Sequence, residues 1–275
     1  MKMLFSPSLP SNNTALRDAL YAGHIFKIPA APAALEIVRN LKMRLEENMG
    51  YPLEQAHLYS PAGNLFLMLQ KFRAHLLTDP IYKNFIRTLM KENGFQPQGN
   101  AFDPLRLRAV LHDGHRNKNA ARAYSLHRDT WYANPQCQIN WWIALQDATE
   151  EQTFSFYPSF FEKKVENSSA NFDYARWKEK VGFQNTRGNG EIDYPSAQET
   201  PEAERQGFSC RAGEIILFSS AHLHQTNRNA SGRSRFSIDF RTVHLDDHAA
   251  GKGAPSADNG SRPDALSDYI RTEVS

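Results

Sequence analysis

Two different spacings of apolar residues divide the chain. Early in the sequence, apolar residues recur every three or four positions over Ala31–Met49, Asn64–Leu77 and Pro80–Asn93, which is the spacing of amphipathic helices. Further along, Leu105 and Leu107 alternate with Arg106 and Arg108, and a period of two predicts a β-strand. The pattern therefore predicts a group of helices followed by a mainly β region.

A pair of strands is predicted near the end of that region. The apolar run Gly213–Phe218 leads to His224, and the polar loop Gln225–Ser234 separates it from a second run, Arg235–Arg241. Turn residues between two such runs are typical of adjacent strands. This arrangement places a histidine at the end of one strand and an arginine at the start of the next.

Length, charge and cysteine content narrow the class of protein. The 275 residues with 40% hydrophobic content can bury the core of a single domain, so one domain over residues 1–275 is expected. The net charge of +2 gives no electrostatic reason to expect a nucleic acid or a membrane as partner. Two isolated cysteines, Cys137 and Cys210, and no leader-like or membrane-spanning apolar run favour a cytoplasmic protein. The oligomeric state stays open.

Two polar segments interrupt or follow the strand pattern. Residues 162–206 are rich in charged residues, Asn, Gly and Ser, with one short helix predicted near Asp173–Val181, and long insertions of this kind serve either as lids or as surface loops. Residues 249–275 shift to Gly, Ala, Pro, Ser and Asp, which predicts a flexible tail.

The candidate chemistry is carried by His127, Asp129 and His224. Residues at i and i+2 of an extended chain point to the same side, so His127 and Asp129 can reach one ion while Arg128 points away. Two imidazoles and one carboxylate leave three coordination positions open, an arrangement suited to Fe(II) that activates oxygen. The same three ligand types also occur around zinc ions that activate water for hydrolysis.

The predicted strand after His224 favours an enzyme that activates oxygen with Fe(II) over a zinc hydrolase. Arg235 and Ser237 share one of its faces, and a guanidinium beside a hydroxyl can grip a carboxylate. A zinc hydrolase has no need of such a clamp. Gln138 and Asn140 share a strand face as well, so either amide is a candidate hydrogen-bond donor to a co-substrate.

These residues carry a resemblance to the phytanoyl-CoA dioxygenase-like family of Fe(II)/2-oxoglutarate-dependent oxygenases. The family pattern of Gly, an acidic residue, an apolar strand and His is followed by Asn at +5, Ser at +7 and Arg at +11. Here these positions after His224 are Asn229, Ser231 and Arg235. The resemblance extends over residues 20 to 245. It departs from the family where Tyr157–Phe161 replaces a Pro-Gly-Ser-His turn, and where the gap between Asp129 and His224 is longer than usual.

The resemblance implies a mainly β fold with flanking α-helices and a double-stranded β-helix (jelly-roll, cupin-like) core. It also implies Fe(II) held by His127, Asp129 and His224, with 2-oxoglutarate gripped by Arg235 and Ser237, and O2 as the second co-substrate. The expected reaction is hydroxylation or another oxidation of a small metabolite or natural-product intermediate, with release of succinate and CO2. Related halogenases leave the carboxylate position vacant, whereas Asp129 fills it here.

Two other functions are compatible with the same residues. The AlkB-like nucleic-acid demethylases end in a similar pair of arginines, here Arg235 and Arg241, although no basic stripe with interleaved aromatics accompanies them. A non-catalytic metal-binding cupin-like protein is the third possibility. The full set of ligands and clamp favours the small-molecule oxygenase over both.

Overall fold

The computed structural model describes residues 5–59, 62–96, 98–180, 194–262 and 264–272. Its helices in these residues are α1 (Asn13–Tyr21), α2 (Pro32–Met49), α3 (Ala56–Tyr59), α4 (Ala62–Thr78), α5 (Pro80–Glu92), α6 (Tyr174–Lys180) and α7 (Leu245–Ala249). Its strands are β1 (Phe5–Ser6), β2 (Ile25–Ile28), β3 (Asn100–Phe102), β4 (Arg106–Val110), β5 (Ile139–Ala144), β6 (Phe154–Phe156), β7 (Ile215–Ser219), β8 (His224–Thr226), β9 (Arg235–His244) and β10 (Ile270–Arg271).

The long N-terminal helices confirm the predicted periodicity. Helices α2, α4 and α5 begin and end within two residues of the predicted bounds. Helix α5 begins where the side chain of Asp79 accepts a hydrogen bond from the Ile81 backbone N–H, which satisfies one of the free donors of the first turn. Two apolar positions of α2, Leu35 and Met43, are about half exposed, so the apolar pattern covers more of this helix than the core does.

Most strands join one large sheet. Its order is β1-β2-β7-β5-β9-β3-β10, and β4 pairs with β9 beside β3. Only the β1–β2 pairing, among the paired strands described, is parallel. Strand β9 is long enough to pair with β5 along one edge and with β3 and β4 along the other. The predicted mainly β core with flanking helices is confirmed.

The large sheet separates two chemically different spaces. On one face of β5 and β9, residues such as Trp141, Phe236 and Phe240 are buried against α1, α2, α4 and α5. The opposite face carries the intervening residues, among them Asn140 and Arg235. Because side chains alternate along a strand, the helix-facing positions are apolar and the other face is free to hold polar groups.

A small second sheet covers part of that polar face. Strands β6 and β8 pair antiparallel, and single bridges join His127 to His224 and Phe156 to Gln206. Phe154 and Phe156 of β6 pack against Trp142 of β5 and Phe218 of β7. This aromatic layer holds the two sheets face to face.

The C-terminal stretch corrects the prediction of a flexible tail over residues 249–275. In its described part, the backbone N–H of Ala254 donates to Gln136 O and that of Ala265 to Ala133 O, and β10 pairs with β3. The side chain of Asp258 is 1% exposed. A composition rich in Gly, Ser and Asp did not reveal this packing, because hydrogen bonds and a few scattered apolar side chains, among them Ala265, Leu266 and Ile270, hold the stretch in place.

The predicted insertion over residues 162–206 contains α6, close to the helix predicted at Asp173–Val181. Phe172 and Trp177 pack with Tyr132 and Tyr194. Residues 181–193 of this insertion lie outside the described residues. Among the helices described, none combines the length and the apolar character needed to cross a membrane.

Candidate active site

His127, Asp129 and His224 meet where the small sheet faces β5. Their ligand atoms all lie within 4.8 Å of one another. His127 and His224 are opposite each other in an antiparallel bridge, with N–O distances of 3.1 and 3.0 Å. Arg128 is extended, and Asp129 then begins a 3-10 turn. One extended residue, rather than a regular strand, therefore places His127 and Asp129 on the same side.

Backbone carbonyls orient both imidazoles. Nδ1 of His127 lies 2.9 Å from Ser125 O, and Nδ1 of His224 lies 2.9 Å from His222 O. A carbonyl can only accept, so each Nδ1 carries the proton and each Nε2 is free to bind an ion. Burial, followed by the nearby His127, lowers the pKa of His224 to about 4. The ring is thus neutral at pH 7, which is the form that metals require.

The Asp129 carboxylate is held from two sides. Its Oδ2 accepts a hydrogen bond of 2.6 Å from Asn140 Nδ2, and Arg241 Nη2 lies 4.0 Å away. Burial by itself would raise the pKa of Asp129, but contact with His127 and the charge of Arg241 outweigh it, and the net pKa lies well below its usual range. Arg241 also pairs with Asp103 at 3.0 Å. The second arginine of the demethylase-like pair therefore supports the carboxylate of the candidate metal site.

A hydrogen-bonded relay leads from this carboxylate to the C-terminal stretch. Asn140 Oδ1 accepts from Gln138 Nε2 at 2.9 Å, and Gln138 Oε1 accepts from the Tyr269 hydroxyl. Gln138 and Asn140 are buried and face the site. Their predicted hydrogen bond to a co-substrate stays a prediction. Tyr269 was not predicted, because it lies in the stretch that composition marks as a tail.

Arg235 is the second feature of the site. It is 3% exposed, its Nε donates to Gln152 O at 2.8 Å, and its Nη1 donates to Ser237 Oγ at 2.7 Å. Its guanidinium carbon lies 5.4 Å from the centre of the Trp142 ring. No carboxylate of the described residues forms an ion pair with it, and burial lowers its pKa to about 10. A buried cation in this state needs an anion.

The guanidinium of Arg128 points away from the metal ligands, as predicted, yet it is 2% exposed. Its five N–H donors meet five acceptors: Asp258 Oδ2 and the carbonyls of Phe160, Phe161, Lys163 and Ala221. Asp258 also accepts from the Trp131 indole at 2.7 Å and the Val165 backbone at 3.0 Å. This cluster fixes the backbone on both sides of Asp129. The sequence predicted the direction of the Arg128 side chain but not its burial or its partners.

Aromatic rings line the remaining sides of the site. Phe154 and Phe218 lie 5.7 and 5.5 Å from the His224 ring, between centroids. Tyr132 lies 5.4 Å from the His127 ring. His222 is buried, its ring centroid lies 4.5 Å from that of Phe161, and its carbonyl orients His224.

Comparison with known proteins agrees with this geometry. The family model of phytanoyl-CoA dioxygenase (PhyH) matches residues 64–237, more than half of the 275 residues. Together with the three clustered ligands, this match makes the chain an Fe(II)- and 2-oxoglutarate-dependent oxygenase, which uses Fe(II), 2-oxoglutarate and O2. Within that class the chain belongs to the phytanoyl-CoA dioxygenase (PhyH) family. A search among curated proteins gave no significant match.

Three solved structures illustrate the similarity of the fold. EvdO2 from Micromonospora carbonacea var. aurantiaca, complexed with 2-oxoglutarate, is 11% identical, with 87% of this chain and 94% of EvdO2 covered and a TM-score of 0.48. The epimerase SnoN, in complex with Fe3+, alpha ketoglutarate and nogalamycin RO, is 14% identical, with 84% of each chain covered and a TM-score of 0.45. Apo HygX from Streptomyces hygroscopicus is 14% identical, with 86% and 87% covered and a TM-score of 0.41. Since these TM-scores are below 0.5, the assignment rests on the family match and the site.

Proposed function

We propose that this protein hydroxylates, or otherwise oxidises, a C–H bond of a small metabolite or natural-product intermediate. In the hydroxylation, one oxygen atom of O2 enters the substrate and the other enters succinate, while 2-oxoglutarate loses CO2. His127, Asp129 and His224 are the proposed iron ligands. Arg235 and Ser237 are proposed to bind the far carboxylate of 2-oxoglutarate.

The observation that carries this proposal is the buried guanidinium of Arg235, which forms no ion pair with any carboxylate among the described residues. Asp129 contacts Asn140, and Trp142 lies two residues further along the same face of β5, where it contacts Arg235. One face of one strand thus connects the proposed iron ligands to the proposed clamp. A dicarboxylate that lies along this face would supply the missing negative charge, and charge-assisted hydrogen bonds to a guanidinium are among the stronger ones in proteins.

The residues present fit the iron ion. Two imidazoles with free Nε2 atoms and one ionised carboxylate form the ligand set that suits Fe(II). When bound, Fe(II) supplies the activation of O2 that is coupled to decarboxylation of 2-oxoglutarate. Because Asp129 supplies a carboxylate, we favour hydroxylation, desaturation or ring formation over halogenation.

The protein's own residues orient the ligands and exclude water. Asn140 holds Oδ2 of Asp129, so the other carboxylate oxygen, Oδ1, faces His127 at 3.5 Å from Nε2. Phe154 and Phe218 close the side of His224. Fixed ligands and a dry site keep the reacting groups in place and limit side reactions.

Two further parts of the fold are proposed on the same basis. The face-to-face sheets form a double-stranded β-helix (jelly-roll) core in one domain, and residues 162–206 act as a lid over the substrate. The lid is supported by Tyr194, which packs against Tyr132 beside His127.

Shortening the segment should reduce substrate oxidation more than uncoupled succinate formation. Equal loss of both would make it a purely structural element.

The iron ligands are tested by anaerobic titration of the Fe(II)-loaded protein with 2-oxoglutarate. Chelation should produce a weak visible charge-transfer band, and His224→Ala should abolish it. His248→Ala is the matched control, because His248 pairs with Asp264 at the surface and should leave the band unchanged. A well-loaded protein without the band would turn the proposal toward a zinc enzyme or a non-catalytic barrel.

The clamp is tested with two neighbouring arginines. Arg235→Ala should raise the 2-oxoglutarate concentration needed for the band by on the order of tenfold or more, since a hydrogen bond to a charged group contributes ~1.5–3 kcal/mol. Arg233→Ala is the control, because that side chain is 56% exposed and pairs with Glu54. Unchanged 2-oxoglutarate affinity in Arg235→Ala would show that the clamp is assigned to the wrong residue.

A further inference from the structure

The hydrogen bonds of the relay all run in one direction, toward Asp129. Asn140 Nδ2 donates to Asp129 Oδ2 at 2.6 Å, and Gln138 Nε2 donates to Asn140 Oδ1 at 2.9 Å. The Tyr269 hydroxyl donates to Gln138 Oε1. Each amide thus accepts a hydrogen bond on its oxygen and donates one from its nitrogen. The relay begins at a phenol and ends at a carboxylate of the candidate metal site.

The chemistry of donors and acceptors permits only this direction. An ionised carboxylate has no proton to donate, so Asn140 must turn its NH2 group toward Asp129 and its oxygen toward Gln138. Gln138 must then turn its own NH2 group toward Asn140, which leaves its oxygen facing the far end of the relay. That end requires a donor. A tyrosine hydroxyl, whose ordinary pKa is about 10, keeps its proton at pH 7 and meets this requirement.

Burial makes any other orientation of the two amides costly. Gln138 and Asn140 are 0% and 4% exposed, so solvent offers little replacement for a lost partner. A buried amide that loses its partner, or that faces a second acceptor, is strongly disfavoured. If Asn140 turned over, its oxygen would face Oδ2 of Asp129. The Tyr269 hydroxyl therefore acts on Asp129 through two buried amides whose orientation it fixes.

The large sheet holds Tyr269 in place. Strand β10 starts at the next residue and pairs with β3 at the edge of this sheet. The Tyr269 backbone N–H donates to Leu266 O at 3.0 Å, and the Tyr269 ring packs against the apolar core. One sheet thus positions both the phenol at the start of the relay and Asn140 at its end.

We propose that Tyr269 is a positioning residue of the iron site. Acting through the two amides, it keeps Oδ2 of Asp129 engaged, so that Oδ1 alone is offered to the metal. Oδ1 lies 3.5 Å from His127 Nε2, on the side of the imidazole ligands. A carboxylate that binds through one oxygen leaves the other coordination positions to 2-oxoglutarate and O2. The inference rests on the proposed function for the assignment of Asp129 as an iron ligand.

The first test needs neither iron nor 2-oxoglutarate. The side-chain NH2 signals of Gln138 and Asn140 are followed by NMR in the metal-free protein, where the hydrogen bonds of the relay should slow their exchange with water. Tyr269→Phe should speed the exchange of both groups by on the order of tenfold, as expected for the loss of a buried hydrogen bond.

Tyr174→Phe is the matched control. The Tyr174 hydroxyl donates to Asp268 Oδ2, one residue before Tyr269, so this variant also removes a phenol hydroxyl that holds the C-terminal stretch. It should leave both NH2 signals and the charge-transfer band unchanged. A general loosening of the C-terminal stretch would instead affect them in both tyrosine variants alike.

The second test observes the iron site through the anaerobic charge-transfer band. In Tyr269→Phe the Asp129 carboxylate is free to rotate, and Oδ2 then competes with 2-oxoglutarate for a coordination position. The band should shift in wavelength, and the 2-oxoglutarate concentration at half-maximal band should rise by up to about tenfold. Gln138→Met, which removes the amide at similar side-chain length, should have an equal or larger effect.

A double-mutant cycle separates action through the relay from an independent effect of Tyr269. Once Gln138→Met has broken the relay, the further change Tyr269→Phe should raise the required 2-oxoglutarate concentration by less than about twofold, because residues in one hydrogen-bond network are not additive. Independent effects of the two substitutions would multiply instead.

Three results would overturn the proposal. They are NH2 signals that Tyr269→Phe leaves unchanged, equal effects of Tyr174→Phe and Tyr269→Phe, or effects of Tyr269→Phe and Gln138→Met that multiply in the double variant. A wild-type protein that lacks the band would contradict the proposed function instead, and the relay is then still read from the NH2 signals of the metal-free protein.

Discussion

Replacement of Asp258 by asparagine should destabilise the protein far more than its place in a polar C-terminal stretch suggests. Asp258 and Arg128 have side chains that are 1% and 2% exposed and lie 3.2 Å apart. Burial lowers the pKa of Arg128, and the charge of Asp258 opposes that shift. Without the carboxylate, a buried guanidinium would keep its four carbonyl partners but lose its counter-ion.

The magnitude follows from the contacts. Removal of one partner of a buried ion pair costs about 3–5 kcal/mol. Asparagine adds a second penalty, because its side-chain NH2 group replaces one of the two accepting oxygens. That group must face either the Trp131 indole N–H or the donors of Arg128 and Val165. Any orientation thus leaves one buried donor facing another donor, which costs about 1–3 kcal/mol. Since these penalties overlap, we expect a loss of about 3–5 kcal/mol in total.

The assay is thermal and urea unfolding of the metal-free protein, so that ligand binding does not contribute to stability. The melting temperature should fall by roughly 6–20 °C, from about 2–4 °C per kcal/mol for a chain of this size. Asp264→Asn is the control, because this carboxylate is 43% exposed and pairs with His248 at 2.7 Å, and an exposed pair contributes at most about 1 kcal/mol. If Asp258→Asn shifted the melting temperature no more than the control, the buried pair would not hold the metal-ligand segment in place.

Two further perturbations are predicted. Tyr269→Phe removes the hydroxyl that donates to Gln138, so Fe(II) affinity should fall by up to about tenfold in competition with a chelator, and unchanged affinity would show that the relay to Asp129 does not matter. Burial, and then the nearby His112, lower the pKa of His57 below its usual value of 6.5. The neutral form of His57 is therefore favoured in the folded protein. Its contribution to stability is fully present above the pKa of the unfolded state and is lost as the pH falls through the pKa of the folded state. NMR titration should show the low pKa, and His112→Asn should raise it; a pKa that stays unchanged would contradict the role of His112.

The sequence predicted the parts of the site that repeat a local pattern. Period-two alternation located β9, and the same alternation placed Arg235 and Ser237 on one face, where the structure finds them joined by a hydrogen bond. The three metal-ligand candidates were found from residue type and spacing, and the structure brings them together.

The rest depended on contacts between distant residues. Asp258 is 130 positions from Arg128, and Tyr269 is 131 positions from Gln138. Asp258 lies among polar and small residues, and Tyr269 has only Leu266 and Ile270 as apolar neighbours, too few to form a periodic pattern. Arg122 and Tyr194 likewise meet only through the tertiary fold. A single sequence gives no signal for such pairs, since the local pattern around one partner does not indicate which distant residue it will contact.

The C-terminal packing also orders events during synthesis. A ribosome completes His127, Asp129 and His224 before it reaches Asp258 and Tyr269. A nascent chain that has emerged only as far as β9 holds every proposed iron ligand. In that chain Arg128 does not yet have its partner Asp258, and the hydrogen bonds from Asn140 through Gln138 do not yet reach Tyr269. Capture of the metal in its final geometry is therefore expected to be a late step, after translation has passed Tyr269 and that segment has docked.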